Sequence, residues 1–405
     1  MRRIILQSLT LVLTGSLMAQ QRGQTGEDSL HADEGRTAST TIGAYGSATF
    51  QRDVNAGISL LNLDRFVLFV GHKFDAKISF FAELEVEDAK VEGDEAGGEV
   101  ALEQAYLKFN FDRRNSISAG LFIPRIGILN ENHLPNTFNG NERTLVETFV
   151  IPATWRELGV RFDGGLERVP LYYSVGVMNG LSSEHFEHGT GIRGGRFEGR
   201  NALANSIAVT AAVQYRRDSF LAQLSGYVGG TAGLAPRLAD SLHLASGPFG
   251  TPVMLGEADV QYESDGFALK ALGTIISIPD AEQINHAYAN NTPRMEYGMF
   301  VEAGYDLFAW LGGPHAQRLL AFVRYESLDL NAQIPRNGIA DGTLKQSHVV
   351  CGLTYLPNPN VAVKVDVRFV RTGGENPALM SNPSPVPIPY KTGNTFLNAG
   401  IGFSF

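Results

Sequence analysis

From Lys77 to Glu87 the chain alternates between two kinds of residue. Ile78, Phe80, Ala82, Leu84 and Val86 hold one parity; Lys77, Ser79, Phe81, Glu83, Glu85 and Glu87 hold the other. A period of two is the period of a strand, whose successive side chains point to opposite faces. The pattern recurs. Ile207, Val209, Ala211, Val213 and Tyr215 oppose Ala208, Thr210, Ala212, Gln214 and Arg216. Tyr297, Met299, Val301, Ala303, Tyr305 and Leu307 oppose Glu296, Gly298, Phe300, Glu302, Gly304 and Asp306. Val361, Val363, Val365, Val367 and Phe369 oppose Ala362, Lys364, Asp366 and Arg368. At the end of the chain, Thr395, Leu397, Ala399, Ile401, Phe403 and Phe405 alternate with Asn394, Asn398, Gly400, Gly402 and Ser404.

Such segments predict about 16 strands, near 41–50, 64–73, 77–87, 100–111, 115–123, 154–163, 171–178, 205–216, 219–229, 253–263, 267–278, 295–309, 319–328, 346–356, 361–371 and 394–405. Each is close to the length that crosses a bilayer at a tilt. Tight connections at 74–76, 112–114, 217–218, 264–266 and 357–360 are interleaved with long ones at 88–99, 124–153, 179–204, 230–252, 279–294, 329–345 and 372–393. Short turns at one end and long loops at the other predict an all-β, transmembrane, up-and-down antiparallel β-barrel. An even strand number puts both termini on the periplasmic side. A two-sheet sandwich, the soluble alternative, would bury the apolar faces against each other. It accounts neither for the rhythm nor for an aromatic as the last residue.

Composition fits a barrel. Mean hydropathy is −0.06, because lipid-facing and water-facing residues cancel. No run of about 18 apolar residues follows the start of the chain, so no helix is expected to span a membrane. Residues 1–19 have the positive start (Arg2, Arg3), apolar stretch and small-residue cut site of a Sec signal peptide. Cleavage, with loss of those two charges, takes the formal charge from −9 to −11 and argues against nucleic acid as a partner. Residues 20–40 read as a flexible periplasmic lead-in, and 41–405 as one barrel domain in the outer membrane. The lone Cys351 excludes an internal disulfide and falls in an alternating wall segment. Tyr45, Tyr172, Tyr173, Tyr215, Tyr227, Tyr262, Tyr297, Tyr305, Tyr325, Tyr355 and Trp310 fall near strand ends, where interfacial aromatic girdles sit.

A barrel of this size leaves a lumen too wide for wall side chains to fill. Function then turns on what narrows it. The long segment Pro124 to Thr154 is more apolar than a loop in water should be: Leu129, Leu134, Phe138, Leu145, Val146, Phe149, Val150 and Ile151 need cover. The reading is a constriction loop folded inward against the wall. Candidate constriction and selectivity residues are Arg125, Asn130, Glu131, His133, Asn139, Glu142 and Arg143 within it and Arg156 and Glu157 at its end. Lys108, Glu83, Glu85 and Arg324 join them from the wall.

The stretches Gly127-Ile-Leu-Asn-Glu-Asn-His133, Phe138-Asn-Gly-Asn-Glu-Arg143 and Ile151-Pro-Ala-Thr-Trp-Arg-Glu-Leu-Gly159 resemble the porin O and P family of bacterial outer-membrane porins. Asp64-Arg65-Phe66-Val67-Leu68 and Glu83-Leu84-Glu85 fit as well. The resemblance implies a sixteen-stranded barrel, homotrimers, passive diffusion and a third long loop lining the pore. The family's named members prefer phosphate or polyphosphate and carry a basic ladder. Here the candidate inward cations Lys108, Arg125, Arg143, Arg156, Arg161, Lys270, Arg324, Lys364 and Arg368 are interleaved with Glu83, Glu85, Glu103, Glu157, Glu257, Asp259, Glu302, Glu326 and Asp366. Mixed charges give a transverse field rather than an anion funnel.

The expectation is therefore a water-filled channel for small hydrophilic solutes or ions, with anions such as phosphate among the candidates. It needs no reaction, cofactor or metal, and its partners are outer-membrane lipid and lipopolysaccharide. Two other classes stay open: an adhesin or structural barrel with a plugged lumen, and a membrane hydrolase. Neither Gly-x-Ser-x-Gly nor His-Glu-x-x-His occurs. His185 and His188 near Glu184 and Glu187 read as a solvated loop, and the acidic run 87–99 as a solvated charge run.

Overall fold

The computed structural model describes residues 38–88, 98–312, 316–379 and 390–405. The strands are β1 (Ser39–Asp53), β2 (Ile58–Lys73), β3 (Ile78–Glu87), β4 (Val100–Asn110), β5 (Ser116–Phe122), β6 (Glu157–Gly165), β7 (Leu171–Asn179) and β8 (Ile207–Arg217). They continue as β9 (Phe220–Gly229), β10 (Val253–Ser264), β11 (Phe267–Ser277), β12 (Met295–Asp306), β13 (Arg318–Gln333), β14 (Lys345–Asn358), β15 (Val361–Thr372) and β16 (Gly393–Ser404). Each pairs antiparallel with its neighbours in sequence, and β1 pairs with β16, so the sixteen strands close into one barrel with no free edge. The last residue completes the seam: Ala44 N–H donates to Phe405 O (2.9 Å) and Phe405 N–H to Ala44 O (2.8 Å).

The alternation decides which way each side chain points. Leu224, Met299, Val301, Val365, Leu397 and Ile401 stand exposed on the outer face, while Gln223, Glu302, Asp366 and Asn398, one residue away, are buried inside. An apolar belt outside and polar groups inside invert the burial of a soluble protein, and fit hydrocarbon outside.

The turn end is compact. Asp265 and Gly266 both take positive φ (52° and 82°), the conformation of a two-residue hairpin turn. Asp75 accepts from Lys77 N–H (2.7 Å) and Ile78 N–H (2.9 Å), closing its turn with a side chain. The other connections are loops named in chain order by the strands they join: L1 β1–β2, L2 β3–β4, L3 β5–β6, L4 β7–β8, L5 β9–β10, L6 β11–β12, L7 β13–β14 and L8 β15–β16.

Several expectations are corrected. The segment expected as a strand from 64 begins at Ile58. The strand pair β1–β2 shifts register between Ser47 and Ala48, so Asp64 bulges and breaks the parity on which the reading relied. Beyond it the hairpin rises past β3, tied to the residue after that strand by Asp88 N–H to Asp64 O (3.1 Å) and by Asn62 Nδ2 to Asp88 Oδ1 (2.6 Å), and it leaves Leu61 84% exposed. The segment expected as a strand to 309 stops at Asp306, whose carboxylate accepts from Phe308 N–H (3.1 Å) and caps a one-turn helix, α3 (Leu307–Leu311). Helices α1 (Pro236–Ser241) and α2 (Ala281–Tyr288) lie in L5 and L6. Trp310, expected near a strand end, stands exposed on that helix just past the end of β12. Tyr45 and Tyr227 are not girdle residues: both point inward and are fully buried. The signal segment, most of the lead-in, the centre of the acidic run and His315 lie outside the described residues.

Candidate functional site

L3, residues 123–156, lies inside the barrel. Ile126, Ile128, Val146, Val150, Ile151 and Trp155 are buried in one cluster with wall residues Phe122, Met178, Leu255, Leu272 and Phe300. Two glycines make the packing possible. Gly127 holds φ +77°, and a Cβ there would come 2.7 Å from Glu147 Oε1. On the wall, a Cβ at Gly298 would meet Val146 Cγ1 at 2.7 Å, so the loop seats only on a bare backbone.

Polar anchors fix the rest of the loop. Glu326, buried on β13, accepts from Leu145 N–H (2.6 Å) and Val146 N–H (3.3 Å). Arg324 pairs with Glu302 (3.1 Å) and Glu326 (2.8 Å) and donates to Asn139 O (3.2 Å). Asn139 Nδ2 donates to Glu302 (3.0 Å), Asn141 N–H to Asp366 (2.8 Å), and Lys364 Nζ to Phe138 O (2.8 Å). Asn136 Nδ2 reaches Pro359 O (2.7 Å), so the loop spans the lumen down to the turn end. Glu147, also buried, accepts from Ile128 N–H (2.6 Å) and Leu129 N–H (2.7 Å). Burial pushes its carboxyl up to about 7, against the pull of those two amides and the Thr144 hydroxyl.

The neighbouring loops cover the same side of the barrel. Leu181, Phe186 and Ile192 of L4, Ala232, Ala239 and Leu244 of L5, and Ile278, Ala281 and Ile284 of L6 join the cluster that holds Trp155 and Tyr227. Asn290 Nδ2 ties L6 to Ser183 O of L4 (2.9 Å). His188 meets Asp341 of L7 (2.8 Å) and Asn291 of L6 (2.9 Å), so its role here is to clamp loops together.

Against β1–β4 a cavity of about 520 Å³ remains. Its two sides differ in charge. The barrel-wall side, with its L2 rim, carries Asp64, Glu85, Glu87 and Glu99 with Arg65; the side made by L3 and L4 carries Arg143, Arg156, Arg193 and Arg196 with Glu142 and Glu198. Part of this charge is paired. Arg65 meets Glu85 at 3.2 Å and Glu87 at 3.6 Å, while Glu198 holds Arg156 at 3.1 Å and Arg196 at 2.8 Å. Glu142 is held by Gln51 Nε2 (2.6 Å) and by Arg368. At the bottom, His133 Nε2 lies 3.0 Å from Tyr45 Oη, which donates to Glu103 (2.7 Å). Burial, aided by Arg143 and Arg65 and opposed by Glu103, lowers His133 to about 4, so its ring is neutral at pH 7.

The thirteen sequence candidates therefore divide. His133, Glu142, Arg143, Arg156 and Glu85 line the cavity, with Glu83 directly behind His133. The others lie elsewhere. Asn130 is an internal staple of L3, donating to Ile126 O (2.9 Å) and accepting from Trp155 N–H (3.1 Å). Arg125 and Glu131 pair with each other (3.1 Å) beside Gln214 of β8. Glu157 accepts from Asn179 (2.6 Å) and Phe197 N–H (3.1 Å), tying L4 to the wall. Asn139 and Arg324 are anchors, and Lys108 lies lower on β4, opposite Ser79 and Ser118. Arg65, Arg196, Glu198 and Tyr45 were missed as site residues. The Asp64 bulge hid the parity of Arg65, and the L4 pair Arg196 and Glu198 has no periodicity to read.

A closed sixteen-stranded barrel with a long loop packed inside is the architecture of a porin-type channel. No family model matches the chain. An uncharacterized protein of Aquifex aeolicus (strain VF5) is 26% identical over 339 residues, spanning 80% of this chain and 74% of that one. Among solved structures, the chain is similar to an anion-selective porin from Comamonas acidovorans (TM-score 0.53, 12% identity, 91% of this chain and 100% of that one). It is also similar to OmpF of Salmonella typhi in complex with daunomycin (TM-score 0.55, 14% identity, 90% and 97%). A third is the outer membrane channel DcaP of Acinetobacter baumannii (TM-score 0.53, 13% identity, 91% and 98%). At these identities the likeness is one of fold.

Proposed function

We propose that this chain is an outer-membrane porin, in which small hydrophilic solutes diffuse passively through the cavity between the β1–β4 wall and L3. The turn end faces the periplasm and the loop end the exterior, reached after export by the segment 1–19. The working unit is a homotrimer in contact with lipid and lipopolysaccharide. No reaction or cofactor is required.

The observation that carries this reading is the cavity with walls of opposite sign. Four acids and one arginine face four arginines and two acids. A near-balanced lining puts the field across the path rather than along it. It therefore supports weak ion preference and passage of polar and dipolar solutes, and weighs against the strong phosphate preference that the porin O and P resemblance carries with it.

Planar-bilayer recording of the refolded chain in a salt gradient tests this. The expected result is stable ohmic steps with a reversal potential near zero. A reversal potential close to the ideal anion value would replace dipolar solutes with phosphate-like anions. Absence of steps from folded protein would favour an adhesin or enzyme.

A further inference from the structure

At the bottom of the cavity, three donor atoms from three elements converge. Glu83 Oε2 comes from β3, Glu103 Oε2 from β4 and His133 Nε2 from L3. Nε2 lies 4.0 Å from the first and 3.9 Å from the second, and all three atoms lie within 4.8 Å of one another. All three residues are at most 5% exposed. Glu103 sits here because β4 shifts register against β3 between Glu83 and Leu84, which turns Glu103 as well as Gln104 inward. A wall bulge that adds a second carboxylate beside a loop histidine is not needed to close a barrel.

The hydrogen bonds present leave capacity unused. Glu103 Oε1 is buried with no hydrogen-bond partner. Gln104 Nε2 donates to Glu83 Oε2 (2.7 Å), an outer partner of the kind that orients a metal-binding carboxylate. Because His133 also lines the cavity, an ion has a route in.

We propose that Glu83, Glu103 and His133, with the Tyr45 hydroxyl beside them, bind a divalent metal ion of the Zn²⁺ class and thereby fasten L3 to the β3–β4 wall. One imidazole with two carboxylates suits Zn²⁺ rather than Ca²⁺ or Mg²⁺, which prefer all-oxygen sets. Ligands at about 2.1 Å in a tetrahedron stand about 3.4 Å apart, so each carboxylate needs to close on the imidazole by only about half an ångström. The Tyr45 hydroxyl now bridges Glu103 (2.7 Å) and His133 (3.0 Å) and becomes a fourth ligand or yields to water.

The site stands apart from the channel reading and is tested apart from it. Calorimetric titration of the refolded full chain with ZnCl₂ should show saturable binding of one ion per chain. His133→Gln and Glu103→Gln should each weaken it by about tenfold or more, since even outer partners of metal ligands cost that much. CaCl₂ should give no comparable heat. Circular dichroism checks that each variant is folded; if one fails to fold, Glu83→Gln takes its place. No saturable Zn²⁺ binding, or binding equal in wild type and folded variants, would overturn the proposal. Normal Zn²⁺ binding by protein without conductance would overturn the channel reading and uphold the site.

Discussion

The two sides of this lumen are built on opposite principles. From β6 to β13 the space is filled: L3 packs its apolar face on Gly298, Leu272 and Phe300, and L4 to L6 close over Trp155 and Tyr227. From β1 to β4, apart from Phe81 and Tyr106, which join the apolar cluster of the filled side, it is left open and charged, with Glu85 and Arg65 facing Arg143 and Arg156. One side behaves like a soluble core and responds to volume and to lost partners. The other is a wetted surface and responds to charge. The same inward parity serves both sides, so what differs is whether the loop opposite offers apolar or ionic side chains.

Substitutions on the filled side should have the largest effects. Arg324→Ala strands Glu302 and Glu326 as buried, unpaired carboxylates, at a cost of about 3–5 kcal/mol. Thermal unfolding in detergent should drop clearly, and single-channel conductance should rise and become noisy as L3 loosens. Trp155→Ala, at a fully buried residue whose ring is centred 4.9 Å from Tyr227, should cost a similar amount, about 3–5 kcal/mol, by leaving a cavity. Unchanged unfolding in both would show that this side is not packed.

Glu147 adds a pH dependence to the same side. Its folded value, about 7, lies above the ordinary 4.5, so the folded state holds the proton more tightly. The stability it gives is complete below 4.5 and is lost as pH rises through 7, on the order of 3 kcal/mol in all. Wild type should therefore unfold at a higher temperature at pH 5 than at pH 8, with the difference shrinking in Glu147→Gln. An equal difference in the variant would place its origin elsewhere.

The open side should show the reverse: small stability effects with clear electrical ones. Arg193→Ala, at an exposed lining position, and Glu87→Gln, at a half-buried one, should each change stability by no more than about 0.5 kcal/mol. They should move the reversal potential in opposite directions, the first toward cations and the second toward anions. The smallest effect belongs to Leu61→Ser at the exposed hairpin tip, which should leave both unfolding and conductance within error.

The wall was legible because its signal is local. In β8, β12, β15 and β16 each residue's parity alone gives its face. The loop's inward fold was legible as well, since Val146, Val150 and Ile151 need cover that water cannot provide. The site was legible only in part. Whether Arg143 lines the cavity or Arg324 anchors the loop depends on which wall strand the loop meets, and the contact of Arg324 with Asn139 spans 185 residues of chain. Tyr45 looked like a girdle residue because the position of a tyrosine near a strand end does not say which face it takes. Arg65 sits beside a bulge, where counting by twos fails.

Thiol modification read as conductance tests the contrast most directly. In a Cys351→Ser background, Ala101→Cys places a thiol in the cavity on β4, and Ala212→Cys places one on the inner face of β8, which is only 3% exposed. A charged methanethiosulfonate reagent should reduce current through the first and leave the second unchanged. Block at position 212 with none at 101 would mean that solutes cross on the side described here as filled.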